Sequence, residues 1–150
     1  MALIKDKDRT ALSQLAEKMT RDVDITLYTQ RDSALVVPGV VPCETCNTTE
    51  ELLDELSEVV PKLRVNTLDL VNSRDDAQRD VVNRVPTMIV GGAAERRVRF
   101  MGFPGGYEFA TFMTALLQAG GAAEEVPAAL QKSLATLEKP IDIKVFVTPS

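Results

Sequence analysis

The two cysteines of this chain, Cys43 and Cys46, are the residues whose type and spacing offer the most specific chemistry. They are separated by two residues, and an amphipathic helix is predicted directly behind them. A thiolate at a helix N-terminus is favoured by the unpaired backbone N–H groups there, and a thiolate attacks disulfides. We therefore expect Cys43 to be the attacking thiol and Cys46 to resolve the mixed disulfide, as in reversible thiol–disulfide exchange.

Three other roles for the cysteine pair are open. A zinc site needs about four nitrogen or sulfur ligands, whereas the sequence has two cysteines and no histidine. Zinc would therefore have to be shared between chains or completed by carboxylates. A structural disulfide across so short a loop would add little stability, and two inert core cysteines are the third alternative. Redox exchange is favoured over all three, and no metal is expected.

Length, composition and charge narrow the class of protein. The chain has 150 residues, of which 45% are hydrophobic, enough for one compact domain and a little more. The formal net charge is -5 and no basic stripe with interleaved aromatic residues occurs, so no nucleic-acid partner is expected. No apolar run has the ~20 residues of a membrane span, and the charged start of the chain does not resemble a signal peptide. These features predict a cytoplasmic protein with no membrane partner and no cofactor.

Hydrophobic periodicity predicts an α/β fold. Helical spacing of apolar residues and β-prone alternation follow one another along the chain. The predicted elements are a helix over 8–19, a strand over 24–29, a helix behind the cysteines that ends at Pro61, a strand over 63–70, a short helix over 74–82, strands over 87–90 and 97–101, and a helix that includes 109–117. A right-handed β-α-β crossover followed by a hairpin and a helix predicts a central mixed four-stranded sheet flanked by helices on both faces.

Three segments near the predicted sheet carry further candidate residues. Pro86 begins the third strand, a position where proline does not interrupt the ladder; a trans proline that merely ends the preceding helix is the alternative. The turn from Gly102 to Gly106 would let a substrate backbone approach closely, although shaping the turn is its simpler role. The apolar loop 34–41 is interpreted as a segment tucked under the sheet, with an apolar substrate-binding rim as the alternative.

Residues 121–150 extend beyond this unit and resemble its beginning. Another amphipathic helix is predicted from Val126, Leu130, Leu134 and Leu137. A further strand is predicted over 142–147, which matches 24–29 at an offset of 118 (142 minus 24), and Ala129-Leu130 matches Ala11-Leu12 at the same offset. We interpret 1–120 as one domain and 121–150 as the linker helix and first strand of an incomplete second copy. Chance similarity between two helix–strand segments is the alternative.

Three motifs resemble the thioredoxin superfamily. They are Cys43-Glu44-Thr45-Cys46, Val85-Pro86-Thr87 and the run Gly102-Phe103-Pro104-Gly105-Gly106-Tyr107-Glu108-Phe109. The chain is most similar to the N-terminal unit of the glutaredoxin-like protein disulfide oxidoreductases of thermophilic prokaryotes, which carry two thioredoxin-type units in tandem. The resemblance covers essentially the whole chain. It implies a thioredoxin fold for 1–120 and agrees with an incomplete second thioredoxin-like unit in 121–150.

The resemblance also implies roles for single residues. Cys43 matches the attacking cysteine of the family, Cys46 the resolving cysteine, and Pro86 the cis-proline that faces the disulfide. The backbone of Val85 would then pair with a substrate strand. Together with Pro86, the expected substrate-binding residues are Val85, Thr87, Gly105 and Gly106.

The implied activity is that of a protein disulfide oxidoreductase. Its partners would be protein disulfides and a thiol donor, either a thioredoxin reductase-like enzyme or glutathione. The sequence departs from thioredoxin in its longer loop before Cys43 and in Pro42, which stands where thioredoxin has a tryptophan. No buried carboxylate is assigned as a general base, and no set of basic residues for the glutathione carboxylates is identified. The alternative function is a docking or electron-relay module of a larger two-unit oxidoreductase or of a peroxiredoxin-reducing system.

Overall fold

The secondary structure follows the order that the sequence predicts. The structure, a computed structural model, describes residues 2–31, 42–91, 98–122 and 126–145. Within these residues the elements are α1 (Asp6–Ala16), β1 (Val23–Thr29), α2 (Cys46–Val59), β2 (Leu63–Asp69), α3 (Arg74–Arg79), β3 (Thr87–Val90), β4 (Val98–Met101), α4 (Tyr107–Ala119) and α5 (Ala128–Ala135). The predicted alternation of helices and strands is confirmed, and α5 is the predicted additional helix.

The strands form one mixed sheet in the order β2-β1-β3-β4. β1 and β2 are parallel, with Val23 opposite Leu63. β3 is antiparallel to β1, with Thr87 opposite Tyr28, and β4 is antiparallel to β3, with Met101 opposite Thr87. The predicted central four-stranded mixed sheet is confirmed.

The sheet separates two hydrophobic cores of unequal size. Ile25 and Leu27 belong to the larger core, which α1, α2 and α4 cover, and Phe100 and Phe112 meet there edge-to-face with ring centroids 5.2 Å apart. Tyr28 belongs to the smaller core on the opposite face, which α3 covers. Leu27 and Tyr28 belong to different cores because successive side chains of a strand point to opposite faces. Helices therefore flank both faces of the sheet, as predicted.

Two predicted helix ends differ from the structure. The first helix was expected to continue to residue 19 and the third to residue 82, whereas α1 ends at Ala16 and α3 ends at Arg79. The end of α3 has a local cause, because Val81 has a φ of 54° and the Val82 amide donates back to the Ala77 carbonyl over 2.8 Å. This wrapped hydrogen bond is typical of a helix C-terminus. The longest described helix, α2, has 14 residues, and none of the described helices is long and apolar enough to cross a bilayer.

The segment 126–145 requires one correction. A strand was expected over 142–147, but residues 142–145 form no strand in the structure, and residues 146 and 147 lie outside the described residues. A strand exists only when its backbone pairs with a neighbouring strand, and within the described chain no strand lies beside 142–145. The predicted loop 34–41 also lies outside the described residues.

Candidate functional site

The two cysteines are joined by a disulfide. Their sulfur atoms are 2.07 Å apart and their Cα atoms are 5.5 Å apart. The pair therefore occupies one small site, and two thiols released by reduction would start within reach of each other. The described residues contain no group of three or more His, Cys, Asp or Glu side chains placed to hold a metal ion.

The start of α2 positions the two sulfur atoms differently. The helix begins at Cys46, so Cys43 precedes it by one turn. Thr45 makes no capping hydrogen bond with its side chain, and its carbonyl accepts hydrogen bonds from the Thr49 amide (2.9 Å) and from Thr49 Oγ1 (2.7 Å). Backbone N–H groups in the first turn of a helix have no carbonyl partner within it and favour a nearby anion.

Burial distinguishes the two cysteines further. Cys46 is 0% exposed and belongs to the protein interior, whereas Cys43 is half-buried. A substrate arriving from solvent can therefore contact Cys43 but not Cys46. The roles of Cys43 as attacking thiol and of Cys46 as resolving thiol stay predictions.

Sheet topology brings Pro86 to the end of the sheet at which the cysteines lie, where β1 finishes. A parallel pair requires a crossover that returns the chain to the opposite end of the sheet, so α2 begins beyond the end of β1. β3 is antiparallel to β1 and starts at Thr87, opposite Tyr28 near the end of β1. Val85 and Pro86 directly precede it, and the peptide bond between them is cis.

Hydrogen bonds order the segment around Pro86. The Pro86 carbonyl accepts from the Gly102 amide over 2.9 Å, and Thr87 Oγ1 donates to the Arg84 carbonyl over 2.7 Å. Among hydrogen bonds between described residues, none involves the backbone amide or carbonyl of Val85. Val85 therefore still offers a backbone donor and acceptor, whereas the Thr87 hydroxyl already has a partner.

Gly105 and Gly106 line a groove next to this edge rather than the disulfide itself. The groove has a volume of about 470 Å³ and lies between α1, α2 and the turn before α4. Its walls are largely apolar and include Leu3, Leu12, Leu52, Phe103 and Phe109. Gly106 precedes α4 with φ 58° and ψ −126°, a conformation that residues with a Cβ rarely adopt. Shaping this turn is therefore a demonstrated role of Gly106, and contact with a substrate is a separate prediction.

A buried pair of polar side chains lies on the other face of the sheet. The Tyr28 hydroxyl donates to Asp80 over 2.8 Å beneath α3. Burial, and then the hydrogen bond to Asp80, raises the pKa of Tyr28 to about 12. Asp80 belongs to the face opposite α2 and is held by Tyr28, so no general base for the cysteines is assigned to it.

Sequence reasoning did not identify this pair or the two arginines near Pro86. Tyr28 was counted as one residue of an alternating strand, and Asp80 as part of the short helix predicted over 74–82. Arg84 precedes Pro86 by two positions, which is the one local signal that could have associated it with the site. Arg99 is 13 residues beyond Pro86, and only the pairing of β4 with β3 brings it near.

Comparisons with known proteins find similarity in structure but not in sequence families. No protein-family model matches this chain, and no curated protein matches it. The structure is similar to the alkylhydroperoxide reductase AhpF of Enterococcus faecalis, with a TM-score of 0.73 and 20% identity over 90% of this chain and 61% of that chain. It is also similar to a protein disulfide oxidoreductase of Aeropyrum pernix, with a TM-score of 0.69 and 21% identity over 89% of this chain and 55% of that chain.

This chain spans less than two-thirds of both solved structures. At such identities the likeness defines the arrangement of helices and strands and not the activity. That arrangement agrees with the topology described above, in which a β-α-β crossover is followed by a β-hairpin and a helix. The fold of this chain is the thioredoxin fold, and its cysteine pair stands at the head of the helix that follows the first strand.

Proposed function

We propose that this protein is a thiol–disulfide oxidoreductase that acts on protein disulfides through Cys43 and Cys46. The observation that carries the proposal is the disulfide between the half-buried Cys43 and the fully buried Cys46. A pair that closes its own disulfide stores two electrons when reduced, and the exposure difference gives each thiol a separate task.

The reaction begins from the reduced pair. The Cys43 thiolate attacks one sulfur of the substrate disulfide, which forms a mixed disulfide and releases the other substrate sulfur as a thiolate that takes up a proton. The Cys46 thiolate then attacks Cys43 Sγ, releases the second substrate thiol and closes the Cys43–Cys46 disulfide. The substrate gains two electrons and two protons in total. A thiol donor then supplies two electrons and two protons to reduce the Cys43–Cys46 disulfide again. A thioredoxin reductase-like enzyme or glutathione is the proposed source.

Substrate contact is proposed at the sheet edge around Pro86. The Val85 backbone, unpaired among the described residues, would accept an extended substrate segment as an added strand. Pro86 and Thr87 would shape this contact, and Gly105 and Gly106 would permit the substrate backbone to pass beside the 470 Å³ groove.

Reduction of insulin disulfides with dithiothreitol as donor tests the proposal. The wild-type chain should accelerate the reaction, and Cys43→Ser should abolish the acceleration. Cys46→Ser should retain the first step and accumulate a mixed disulfide with the substrate, which mass spectrometry detects. Activity that persists in Cys43→Ser would refute the assignment.

The alternative is a docking or electron-relay module of a larger two-unit oxidoreductase or peroxiredoxin-reducing system. The observation that favours it is the partial coverage of the similar solved structures, 61% and 55%. A redox titration of the cysteine pair separates the alternatives. A potential within the range that exchanges with thioredoxins or glutathione supports the oxidoreductase, and the absence of such a potential supports docking.

We also propose that 126–145 is the beginning of a second thioredoxin-like unit. Six apolar residues of the first unit's core have an apolar counterpart 118 positions later: Leu12, Ala16, Met19, Val23, Ile25 and Leu27 correspond to Leu130, Leu134, Leu137, Ile141, Ile143 and Val145. All six counterparts are exposed, by 49% to 78%. Exposed apolar residues in this pattern are what α5 and the segment after it would present before the rest of their core is added.

A further inference from the structure

Two arginines line a second depression at the sheet edge that carries Pro86. The depression has a volume of about 320 Å³ and lies between the end of α3, the start of β3 and β4. Its polar lining includes Arg84, Arg99, Asn83 and Thr87, and no acidic residue is among its described lining residues. A positive, partly enclosed depression of this kind suits a carboxylate.

The two arginines differ in how they are used. Arg99 Nη1 donates to the Val81 carbonyl over 3.2 Å, and Nη2 donates to the Asp80 carbonyl, so Arg99 holds the end of α3 against β4. Among the described residues, the Arg84 guanidinium makes no hydrogen bond or ion pair. Arg84 is therefore the donor that a ligand would engage, and Arg99 contributes positive charge to the depression.

An exposed apolar rim borders these charges. Val81 is 74% exposed and Met101 is 59% exposed, and neither contributes to a hydrophobic core. Val81 also has a φ of 54°, a left-handed conformation that is unfavourable for a β-branched residue. The rim can contact the methylene groups of a ligand while the Arg84 guanidinium pairs with its negative charge. This combination matches a glutamate side chain.

The depression lies on the opposite face of the sheet from the helix that carries the cysteines. Ile89 belongs to the smaller core beneath α3, and Arg99 is directly opposite Ile89, so the two share that face. α2 packs on the other face. Successive side chains of an extended peptide point to opposite sides, so a peptide that presents its cysteine towards Cys43 presents the adjacent residue towards Arg84.

We propose that this depression is a specificity subsite that binds a glutamate immediately adjacent to the reactive cysteine of a polypeptide substrate. The proposal rests on the proposed function, because it assigns a substrate class to the same site. Substrates with glutamate in that position react faster because the ion pair with Arg84 places their disulfide over Cys43.

Short peptide disulfides that differ at one position test the subsite. With the full chain and dithiothreitol, kcat/KM should be about three- to fivefold higher for a peptide with Glu beside the cysteine than for the Gln peptide, the effect of one partly exposed ion pair. A peptide with Glu two positions from the cysteine should react like the Gln peptide. Added NaCl should reduce the preference because salt screens the attraction.

Variants assign the preference to Arg84. Arg84→Gln should abolish it, so that the Glu and Gln peptides react at equal rates, and Arg84→Lys should retain part of it. Arg74→Gln removes the same charge from the start of α3, outside the depression, and should retain all of it. Equal rates for the Glu and Gln peptides with the wild-type chain, or an unchanged preference in Arg84→Gln, would overturn the subsite. A carboxylate preference limited to glutathione disulfide would overturn it as well.

Binding separates this inference from the proposed function. The same peptides with Ser in place of Cys can be titrated and followed by NMR. If no peptide disulfide is reduced but the Glu peptide binds more tightly in an Arg84-dependent manner, the subsite stands and the oxidoreductase assignment fails. If peptides are reduced at equal rates and bind equally, the subsite fails and the oxidoreductase assignment stands.

Discussion

At the scale of single residues, the candidate site combines a half-buried cysteine with a fully buried one. Cys43 is half-buried and Cys46 is 0% exposed, although one bond joins them. The same contrast separates Arg84 from Tyr28 on the other face of the sheet, because Tyr28 is fully buried and its hydroxyl is committed to Asp80. Exposed groups are available for ligands, and buried polar groups are retained because their hydrogen bonds are satisfied.

Tyr28 makes the folding stability depend on pH in the alkaline range. Burial and the hydrogen bond to Asp80 raise its pKa from 10.0 to about 12, so the folded chain holds the phenolic proton more tightly than the unfolded chain does. The associated stability is fully present below pH 10 and is lost as the pH rises from about 10 to about 12. In Tyr28→Phe this part of the decline should be absent, as measured by urea unfolding across that range.

The same variant should be less stable at neutral pH. Tyr28→Phe removes a buried hydrogen bond from Asp80, which should lower the free energy of unfolding by about 1 to 2 kcal/mol. Tyr107 is 95% exposed, so Tyr107→Phe is the matched control and should change neither the stability nor the pH profile. Identical pH profiles for Tyr28→Phe and the wild type would contradict this account.

At the scale of elements, helix ends determine where the candidate site residues lie. α2 begins at Cys46, which places Cys43 just outside the first turn of the helix. α3 ends at Arg79, and the strained turn that follows carries the chain to Arg84 and Pro86. The sequence pattern left the start of α2 open and placed the end of α3 too late, because periodicity locates helices better than it locates their termini.

Glycine in place of Val81 should stabilise the turn after α3. Val81 is a β-branched residue in the left-handed region, where an L-residue is disfavoured by about 1–2 kcal/mol. Glycine relieves that strain but adds about 0.5–1 kcal/mol of unfolded-chain entropy. Val81→Gly should therefore raise the free energy of unfolding by up to about 1 kcal/mol, as read from chemical denaturation.

Val71→Gly is the matched control for the strained turn. Val71 is also an exposed valine but does not have a positive φ. Its replacement should lower stability slightly, since it adds chain entropy without relieving strain. Equal losses in both variants would mean that the backbone at Val81 is not strained.

At the scale of the whole molecule, the sheet and the helices that cover it are followed by a segment whose apolar residues are spaced like those of α1 and β1. The first unit buries the apolar faces of α1, α2 and α4 against the sheet. α5 has no buried residue, and Ile141, Ile143 and Val145 after it are exposed. The contrast between similar patterns with opposite burial is the strongest support for the proposed second unit.

Two leucines 118 positions apart should respond differently to the same truncation. Leu12 is 6% exposed and lies in the larger core, so Leu12→Ala should cost about 2–5 kcal/mol of unfolding free energy. Leu130 is 49% exposed, so Leu130→Ala in this 150-residue chain should leave the stability unchanged. Thermal and urea unfolding of both variants measure the difference.

The expected effect of Leu130→Ala is different in a longer chain. In a chain that includes a complete second unit, Leu130→Ala should destabilise that unit as Leu12→Ala destabilises the first. A large cost of Leu130→Ala in the 150-residue chain would instead show that α5 packs on residues 1–120, and the proposed repeat would lose its main support.

Local sequence patterns accounted for much of the fold. The alternation in β1, the apolar stripe of α2 and the turn glycines each depend on neighbouring residues, and all three are found where they were expected. The prediction of a strand over 142–147 was wrong for 142–145, because a strand forms only beside a partner strand and not from alternation alone. The Tyr28–Asp80 pair spans 52 positions and was missed for the same reason, since its two halves have no local connection.

The sequence by itself determined the spacing of Cys43 and Cys46, the helix behind them and the order of helices and strands, because these follow from short-range patterns of residue type. Only the tertiary structure decided that Cys46 is buried while Cys43 is accessible, that Pro86 stands at the edge where β1 ends, and that Arg84 and Arg99 meet in one depression. Burial and juxtaposition arise when strands distant in sequence pair and helices cover them, and no local pattern records which distant residues will become neighbours.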